Sequence, residues 1–132
     1  MRDHGSKKAI VLTSRVHPGE PQASFMLEGS LQFLLSDSDL ARELRKNFVF
    51  MVVPMLNPDG VVQGNYRCSL LGCDLNRKWS LPNKYLHAEI FYTKQMIRYL
   101  QWERKVLLYC DMHGHSRKQN AFFFGCSYKN YE

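Results

Sequence analysis

The sequence has no long hydrophobic run and few cysteines, and each shortage disfavours a class of protein. No apolar stretch approaches the roughly 20 residues that a membrane-spanning helix needs. Residues 1–8 are polar after the initiator, which predicts no secretory signal. These shortages predict a cytoplasmic protein whose cysteines are reduced and which does not bind a membrane. The cysteines are too sparse for a secreted disulfide scaffold, namely Cys68, Cys73, Cys110 and Cys126.

Negative charge is also in short supply, and internal repeats and low-complexity linkers are lacking. The chain has 18 Lys and Arg residues against 12 Asp and Glu residues, which gives a net charge of +6. This excess favours acidic partners such as peptides, whereas the scattered basic residues form no nucleic-acid-binding motif, so we expect no nucleic-acid partner. The length of 132 residues predicts one domain. We place it at residues 9–132, after a polar N-terminal segment at residues 1–8.

Hydrophobic periodicity predicts an α/β fold in which strands and helices alternate. Short apolar runs predict strands, and stretches with apolar residues three or four positions apart predict helices. The second and third strands are apolar almost throughout, so we expect both to be buried in a mixed, largely parallel sheet flanked by helices. The predicted strands are residues 9–13, 47–55, 106–110 and 121–124, and the predicted helices follow Pro21, follow Ser38 and span residues 85–103.

The first predicted strand leads to a pair of possible metal ligands, at the strand end where α/β proteins collect their sites. His17 and Glu20 are three residues apart across a Pro-Gly turn. Imidazole and carboxylate groups are both good zinc ligands. The alternative is that Glu20 caps the helix that follows, where a carboxylate is favoured. The spacing by itself leaves both interpretations open.

The third predicted strand leads to another histidine, His113, which precedes Gly114, and this glycine allows close backbone approach. A catalytic zinc site takes three protein ligands and leaves one position for water. We therefore predict one zinc ion per chain, with His113 as the third ligand. His115 is the competing ligand, since strand alternation would aim it to the same face; otherwise it lines the pocket or lies on the surface. We expect Asp111 to orient a ligand or to lie in the sheet.

A long polar loop at residues 57–83 contains Arg67 and the pair Asn76-Arg77. The planar guanidinium group binds a carboxylate through two parallel hydrogen bonds, so these residues are candidates for binding one. An ordinary exposed loop is the alternative. At the start of the loop, residues 57–60 predict a turn in which Gly60 adopts a positive φ.

A structural zinc site is a second hypothesis for the metal. Cys68, Cys73, Cys110 and His113 have spacings that such a site permits. Against this hypothesis, Cys110 lies in an apolar strand, where a buried free thiol is ordinary. The hypothesis also leaves the first histidine and its neighbouring glutamate without a role.

Taken in order, these motifs resemble those of the zinc metallocarboxypeptidases. Their residues are most similar to the motifs of the cytosolic carboxypeptidase family. The resemblance covers approximately residues 7–127. The segments that carry it are His-Pro-Gly-Glu at 17–20, Pro-Met-Leu-Asn-Pro-Asp-Gly-Val at 54–61, Gly-Asn-Tyr-Arg-Cys-Ser-Leu at 64–70, Asp-Leu-Asn-Arg at 74–77 and Asp-Met-His-Gly-His-Ser-Arg-Lys at 111–118.

The resemblance implies a zinc carboxypeptidase-like fold and a hydrolase that removes C-terminal residues from proteins. The substrates that it implies are acidic C-termini, chiefly glutamates on tails such as those of tubulin. The residue roles that it implies are zinc binding by His17, Glu20 and His113, stabilisation of the oxyanion by Arg67, and binding of the substrate's terminal carboxylate by Asn76 and Arg77.

One part of the family pattern is missing from the chain. The family's general-base glutamate lies well beyond the third zinc ligand, but the 19 residues after His113 (132 − 113) contain one glutamate, the terminal Glu132. We therefore expect an incomplete fold that corresponds to the first half of a catalytic domain, without the general base. The alternative function is a non-catalytic module that binds zinc and peptide C-termini.

Overall fold

Three parallel strands form the centre of the structure, a computed structural model that describes residues 7–125. The strands β1 (Lys8–Ser14), β2 (Phe48–Val53) and β3 (Val106–Met112) lie in the order β2-β1-β3. Both pairings are parallel, and Thr13 of β1 lies opposite Asp111 of β3. The predicted α/β class and parallel sheet are confirmed. The carboxyl ends of the three strands therefore meet at one edge.

The first helix covers one face of β1. The helix α1 (Pro21–Leu35) begins with a proline, whose missing N–H costs nothing in the first turn. Its buried Leu27 and Leu34, seven residues apart, pack with Leu12 of β1. The shorter α2 (Asp39–Asn47) lies beside α1 and follows the serine that was predicted to precede it. These two helices form the layer on this face.

The last helix covers the opposite face of β1. The helix α4 (Ala88–Glu103) places Leu100 against Ala9 and Val11 of the strand. It begins three residues later than predicted, and Leu86, which lies within the predicted helix, is outside it and exposed. Helices on both faces of the sheet confirm the predicted layer order.

A further apolar cluster holds the loop between β2 and α4 against the end of the sheet. Its buried members are Val16, Leu56, Leu75 and Ile90. Val16 directly precedes His17, so this cluster anchors the segment that carries the first predicted ligand.

Two predictions about strands are wrong, and β2, which was also expected to be buried, is only half-buried along its whole length. Leu107, Leu108 and Tyr109 of β3 are between 39% and 51% exposed, although an apolar strand was expected to be buried. Within the described residues β3 pairs with β1 on one side only, and an apolar run does not reveal which neighbours cover it. Residues 121–124 form no strand and are exposed. A strand needs a partner for its backbone groups, and no described strand pairs with these residues.

The predicted turn at residues 57–60 is instead the start of a short helix, α3 (Pro58–Val62). The side-chain oxygen of Asn57 accepts a hydrogen bond from the Gly60 N–H at 3.0 Å, as at a helix N-cap. Gly60 does not have the predicted positive φ. It is needed for another reason, because a Cβ there would lie 2.6 Å from Pro18 Cγ.

Some predictions fall outside residues 7–125. Cys126, Glu132 and most of the predicted N-terminal segment at residues 1–8 lie outside the described residues. In the part of the chain that the structure describes, the helices are too short or too polar to cross a membrane.

Candidate metal site

Three potential metal ligands from two segments distant in sequence meet beyond the carboxyl edge of the sheet. His17 follows β1, Glu20 directly precedes α1, and His113 follows β3. One ligand atom from each side chain lies within 4.8 Å of those from the other two. His17 is 4% exposed, and the other two side chains are half-buried. Within residues 7–125, this is the one group of three or more His, Cys, Asp or Glu residues that could hold a metal ion.

A strained turn after β1 brings His17 into the site. Arg15 has a φ of 57°, a left-handed conformation that costs an L-residue about 1–2 kcal/mol. Its guanidinium group donates to Pro18 O at 2.9 Å and to Ser24 Oγ at 2.8 Å. These hydrogen bonds tie the turn to α1 and offset part of the cost of the strained backbone.

Gly19, between the first two ligands, allows the loop to approach closely. A Cβ at this position would lie 2.5 Å from a ring carbon of Tyr66. The Gly19 N–H donates to Tyr66 O at 2.7 Å. The loop that carries Arg67 is therefore docked against the segment that carries the ligands.

The carboxylate of Glu20 lies between the two histidines. Its Oε1 is 3.0 Å from His17 Nδ1, and its Oε2 is 3.2 Å from His113 Nδ1. Oε2 also accepts a hydrogen bond from the Gly114 N–H at 2.7 Å. A Cβ at Gly114 would lie 2.0 Å from Nε2 of the Gln22 side chain, so this side chain packs directly against the glycine. Glu20 occupies the N-cap position of α1, as in the helix-cap alternative, but its side chain makes no cap hydrogen bond and turns to the histidines instead.

Each of the two histidines turns its second ring nitrogen toward an aspartate. His17 Nε2 is 3.1 Å from Asp74 Oδ1, and His113 Nε2 is 2.7 Å from Asp111 Oδ2. Both Nδ1 atoms therefore face Glu20, and both Nε2 atoms face an aspartate. Carboxylates in this outer position fix the tautomer and ring orientation of metal-binding histidines. Asp111 was expected to orient a ligand or to lie in the sheet; it lies in β3, and its carboxylate holds His113, the candidate ligand.

The donor set and its spacing fit zinc. Two imidazole nitrogens and one carboxylate are a ligand set of catalytic zinc sites. Ligand atoms of a tetrahedral zinc ion are about 3.3 Å apart, because each bond is about 2.0–2.1 Å long. The two Nδ1 atoms lie 3.0 and 3.2 Å from the carboxylate oxygens of Glu20. One ion can therefore be shared by these three side chains.

The neighbouring carboxylates favour a protonated His113 when no metal is bound. The hydrogen bond to Asp111 raises the pKa of His113 above its ordinary value. Burial opposes this rise, while the negative charges of Asp111 and Glu20 add to it. A proton and a metal ion therefore compete for the same nitrogen.

Asp74 joins the metal site to Arg67. Nε of Arg67 donates to Asp74 Oδ2 at 2.8 Å, and Nη2 lies 2.8 Å from the same oxygen in an ion pair, while Oδ1 accepts from His17 and from the Asn76 N–H. Burial alone raises the pKa of Asp74, but the hydrogen bonds from His17, Asn76 and Arg67 outweigh it, so the pKa is lowered. The sequence motif contained Asp74 but suggested no role for it. Its role depends on a contact between residues 57 positions apart.

The predicted carboxylate-binding pair lies on a single 3₁₀ turn, Leu75–Arg77. Asn76 is fixed on both sides, because its N–H donates to Asp74 and its Oδ1 accepts from Trp79 Nε1 at 2.9 Å. Arg77 is exposed, and its Nη1 lies 3.5 Å from Asn76 O. The structure therefore brings Arg67 and Asn76 to the metal site through Asp74 and leaves Arg77 on the surface beside them.

His115 does not join the ligand group. Its Nδ1 accepts hydrogen bonds from the backbone N–H groups of Arg117 and Lys118 at 3.1 and 2.9 Å. Its ring packs edge-on against Phe122, with the ring centroids 5.4 Å apart. His113, rather than His115, is therefore the histidine that meets the other two ligands.

The cysteines of the alternative zinc site do not converge. Cys73 packs against the apolar cluster around Val16, whereas Cys110 packs against the apolar cluster of β1 and α1. The one described group of potential ligands contains no cysteine. His113 is turned instead toward Glu20. This geometry disfavours the structural zinc site.

Comparison with known proteins gives a family match over almost the whole chain. Residues 2–131 match a family described as zinc carboxypeptidase. The chain is 57% identical over 125 residues to cytosolic carboxypeptidase 2 of Xenopus tropicalis and 56% identical over 121 residues to cytosolic carboxypeptidase 1 of Xenopus laevis. These matches cover 95% and 91% of this chain. The chain spans only 13% and 10% of the length of these two relatives.

A solved structure has a similar fold. It is a metallo-carboxypeptidase from Pseudomonas aeruginosa in complex with (2-guanidinoethylmercapto)succinic acid. The TM-score is 0.76 and the sequence identity 30%, and the match covers 87% of this chain and 29% of that one.

Proposed function

The chain belongs to the zinc carboxypeptidase family, and on this premise we propose that it supplies the metal-binding part of a zinc-dependent carboxypeptidase. The observation that carries this proposal is the convergence of His17, Glu20 and His113, which would hold one zinc ion per chain. The chemistry that zinc supplies when bound is acidification of a water molecule and polarisation of a carbonyl group.

Arg67 is proposed to stabilise the negative charge that develops on the oxygen of the scissile carbonyl. Asp74 holds both Nε and Nη2 of this residue, so the guanidinium group is oriented before the substrate arrives. A preorganised donor of this kind is worth about 3 kcal/mol in the transition state. Because Asp74 also holds His17, one carboxylate sets the position of a metal ligand relative to the proposed oxyanion donor.

Asn76 and Arg77 are proposed to bind the carboxylate at the end of the substrate. The exposed guanidinium group of Arg77 is accessible to a ligand. The complex of the solved relative with a succinic acid derivative is compatible with a site that binds carboxylates.

Acidic protein C-termini are the substrates that we propose, chiefly glutamates on tails such as those of tubulin. The net charge of +6 favours such substrates. The relatives are named cytosolic carboxypeptidases, and we propose a cytoplasmic location for this chain as well.

The general base is proposed to lie outside the described residues. The carboxylates at the site already have partners: Glu20 lies between the histidines, Asp74 holds Arg67, and Asp111 holds a histidine. A general base must be able to reach the water and take its proton, and removing it costs about 10²–10⁴ in rate. Because each carboxylate at the described site already has a partner, a second candidate function is also favoured: a non-catalytic module that binds zinc and peptide C-termini.

The test measures zinc content and peptide turnover on the same preparations. We expect one zinc ion per chain, lost in the triple variant His17→Ala, Glu20→Ala and His113→Ala. His115→Ala is the matched control and should keep the metal. Unchanged zinc affinity in the triple variant would refute the metal assignment.

Turnover is measured on a peptide that ends in several glutamates, with a free or an amidated C-terminus and with a chelator control. For the 132 residues alone we expect binding of zinc and of the free C-terminus without turnover at the rate of a complete family member. Zinc-dependent release of glutamate at that rate would show that a base lies within the chain. Equal binding of the free and the amidated peptide would contradict the carboxylate site.

A further inference from the structure

We propose that Thr13 and Tyr109 are positioning residues of the metal site. Their hydroxyl groups fix the carboxylate of Asp111, which in turn holds His113 with Nδ1 facing the metal. This inference rests on the proposed zinc site and extends it to two residues that do not touch the metal.

The hydrogen bonds run across the pair of strands β1 and β3. Thr13 lies opposite Asp111 in the parallel register and is fully buried. Its Oγ1 is 2.7 Å from Asp111 Oδ1 and 3.1 Å from the hydroxyl oxygen of Tyr109. Oδ2 of the same carboxylate is 2.7 Å from His113 Nε2. Four side chains therefore form one continuous path from the interior of the sheet to a metal ligand.

The chemistry of the groups sets the direction of every hydrogen bond in this path. An ionised carboxylate only accepts, so Thr13 must donate its single hydroxyl proton to Asp111. The hydroxyl of Tyr109 must then donate to Thr13 Oγ1. On the other oxygen, Nε2 of His113 must carry the proton. When a metal displaces the proton between Nδ1 and Glu20, the neutral tautomer that this path selects is the one with its proton on Nε2 and its lone pair on Nδ1.

Occupation of both oxygens immobilises the carboxylate of Asp111. With Oδ2 alone engaged, the carboxylate could rotate about its Cβ–Cγ bond and present a different oxygen to His113. The bond from Thr13 to Oδ1 resists this rotation. Since outer carboxylates orient metal-binding histidines, loss of the Thr13 hydroxyl should loosen the histidine ring.

A neighbouring residue shows that burial of a hydroxyl on β1 does not by itself produce such a path. Ser14 is also fully buried, but its Oγ has no hydrogen-bond partner among the described residues. It lies next to Thr13 in sequence and points to the other face of the strand. Ser14→Ala is therefore a matched control that removes a buried hydroxyl outside the path.

The aromatic ring of Tyr109 connects the path to the proposed substrate loop. It packs edge-on against Trp79, with the ring centroids 5.8 Å apart. Nε1 of Trp79 donates to Asn76 Oδ1 at 2.9 Å. The ring of Tyr109 therefore contacts Trp79, which fixes Asn76, while its hydroxyl group belongs to the hydrogen-bond path that holds His113. Tyr109→Phe separates these two contacts, because it removes the hydroxyl and keeps the ring.

The first measurement is zinc affinity, determined on the full chain by competition with a chelator. Thr13→Val has nearly the same shape and should weaken zinc binding about 10-fold, at the lower end of the range for residues that support metal ligands. Tyr109→Phe should weaken it less. Thr13→Ser restores the hydroxyl and should bind zinc within about twofold of the parent chain, as should Ser14→Ala.

The second measurement is the tautomer of His113, read from the ¹⁵N shifts of its imidazole in the zinc-loaded chain and in the metal-free chain at a pH high enough to make the ring neutral. The parent chain should carry its proton on Nε2, and Thr13→Val should shift or broaden that signal. Unchanged zinc affinity and unchanged shifts in Thr13→Val would overturn the inference, as would an equal loss of affinity in Thr13→Ser. A lowered melting temperature with intact affinity and shifts would mean a purely structural role and would also overturn it.

Two further outcomes separate this inference from the proposed function. If the parent chain binds zinc and loses it in His113→Ala, the proposed site stands, and the variants of Thr13 and Tyr109 decide the inference alone. If the parent chain does not bind zinc, the proposed function fails, and the metal-free shifts decide whether the hydroxyl path sets the tautomer. If Thr13→Val does not fold, Tyr109→Phe provides the decisive comparison.

Discussion

At the scale of single residues, Asp74 holds three partners on its two oxygens, and we expect Asp74→Asn to disturb all of them. The amide keeps one acceptor oxygen but loses the charge that holds Arg67 and orients His17. Zinc affinity should fall roughly 10- to 100-fold, as for other residues that support a metal-binding histidine. Chelator competition measures this change.

The matched control for Asp74 is Asp39→Asn. The side chain of Asp39 is 99% exposed and pairs with Arg42 on the surface of α2. Zinc affinity should not change in this variant. Equal zinc affinities of the two asparagine variants would contradict the role of Asp74.

The raised pKa of His113 predicts how zinc binding depends on pH. Without metal, protonation of His113 contributes stability below the unfolded-state pKa of about 6.5, and this contribution is lost as pH rises through the raised folded-state pKa. Zinc must displace that proton, so zinc affinity should fall as pH falls through the raised value, above 6.5. Asp111→Asn should move this fall to lower pH. Zinc affinity measured from about pH 5 to pH 8 tests it, and a fall confined to pH below 6.5 in the parent chain would refute it.

The proposed role of Arg77 in substrate binding can be tested by substituting this one side chain. In a complete enzyme that carries this segment, Arg77→Lys should weaken processing roughly 10-fold, because a point charge replaces a planar group with two parallel donors. The defect should appear on peptides with a free C-terminus. The control is Arg42→Lys, which changes an arginine paired on the surface of α2. An equal defect on amidated peptides would argue against a role in binding the terminal carboxylate.

The three residues of the candidate metal site were predictable from the sequence, but the residues that hold them in place were only partly so. His17 and Glu20 are local neighbours, and His113 ends an apolar run, so pattern and position suffice to find them. Asp111 precedes a ligand by two positions, which suggested a supporting role. The role of Asp74 comes from contacts that the fold creates, and no spacing in the sequence reveals them.

At the scale of elements, the short helix α3 leads to a prediction about its glycine. Gly60→Ala should destabilise the fold by about 1–3 kcal/mol, the usual cost of overpacking, because the new Cβ would lie 2.6 Å from Pro18 Cγ. Since Pro18 follows His17, zinc affinity should fall as well. Urea unfolding and chelator competition measure the two effects.

Gly29 is the control for this prediction. It lies in α1, and a Cβ there would meet no other atom within 4 Å. Gly29→Ala should raise stability by about 0.5–1 kcal/mol, because alanine favours the helix more than glycine does. If both substitutions had the same effect, close packing around Gly60 would not be the reason for that glycine.

The helix–strand order was predictable because α1 and α4 have apolar residues at helical spacing and the three strands are apolar. The start of α3 was not, because residues 57–60 contain signals for both a turn and a helix. Asn, Pro and Asp are favoured both in turns and at the first positions of helices. Contacts with Pro18 and the neighbouring loop distinguish the two, and these contacts exist only in the folded chain.

At the scale of the whole molecule, the ligands connect three elements, so zinc should stabilise the assembled fold. Binding to the folded form alone contributes about 2.7 kcal/mol when free zinc is 100 times its dissociation constant. We expect the melting temperature to rise by roughly 10 °C under that condition. Thermal unfolding with zinc and with a chelator measures the shift. His113→Ala should show little of it, and a full shift in that variant would mean that zinc binds elsewhere.

The overall topology followed from alternation of strands and helices, but the exposure of β3 did not. An apolar strand indicates that its side chains are buried against another element in the folded protein. It does not identify the element that covers them. Within residues 7–125, Leu107, Leu108 and Tyr109 have one neighbouring strand and partial helix cover, which explains why the expected burial was not found.

The parallel pairing of the first strand with the last sets the order in which the site can assemble during synthesis. His17 and Glu20 are three residues apart and can meet as soon as the first turn of α1 forms. Glu20 and His113 are 93 residues apart and meet only when the last strand docks beside the first. Closing so long a loop is a slow, non-local step. A ribosome-bound chain would thus hold two ligands long before the third emerges, so tight zinc binding would report that β3 has docked.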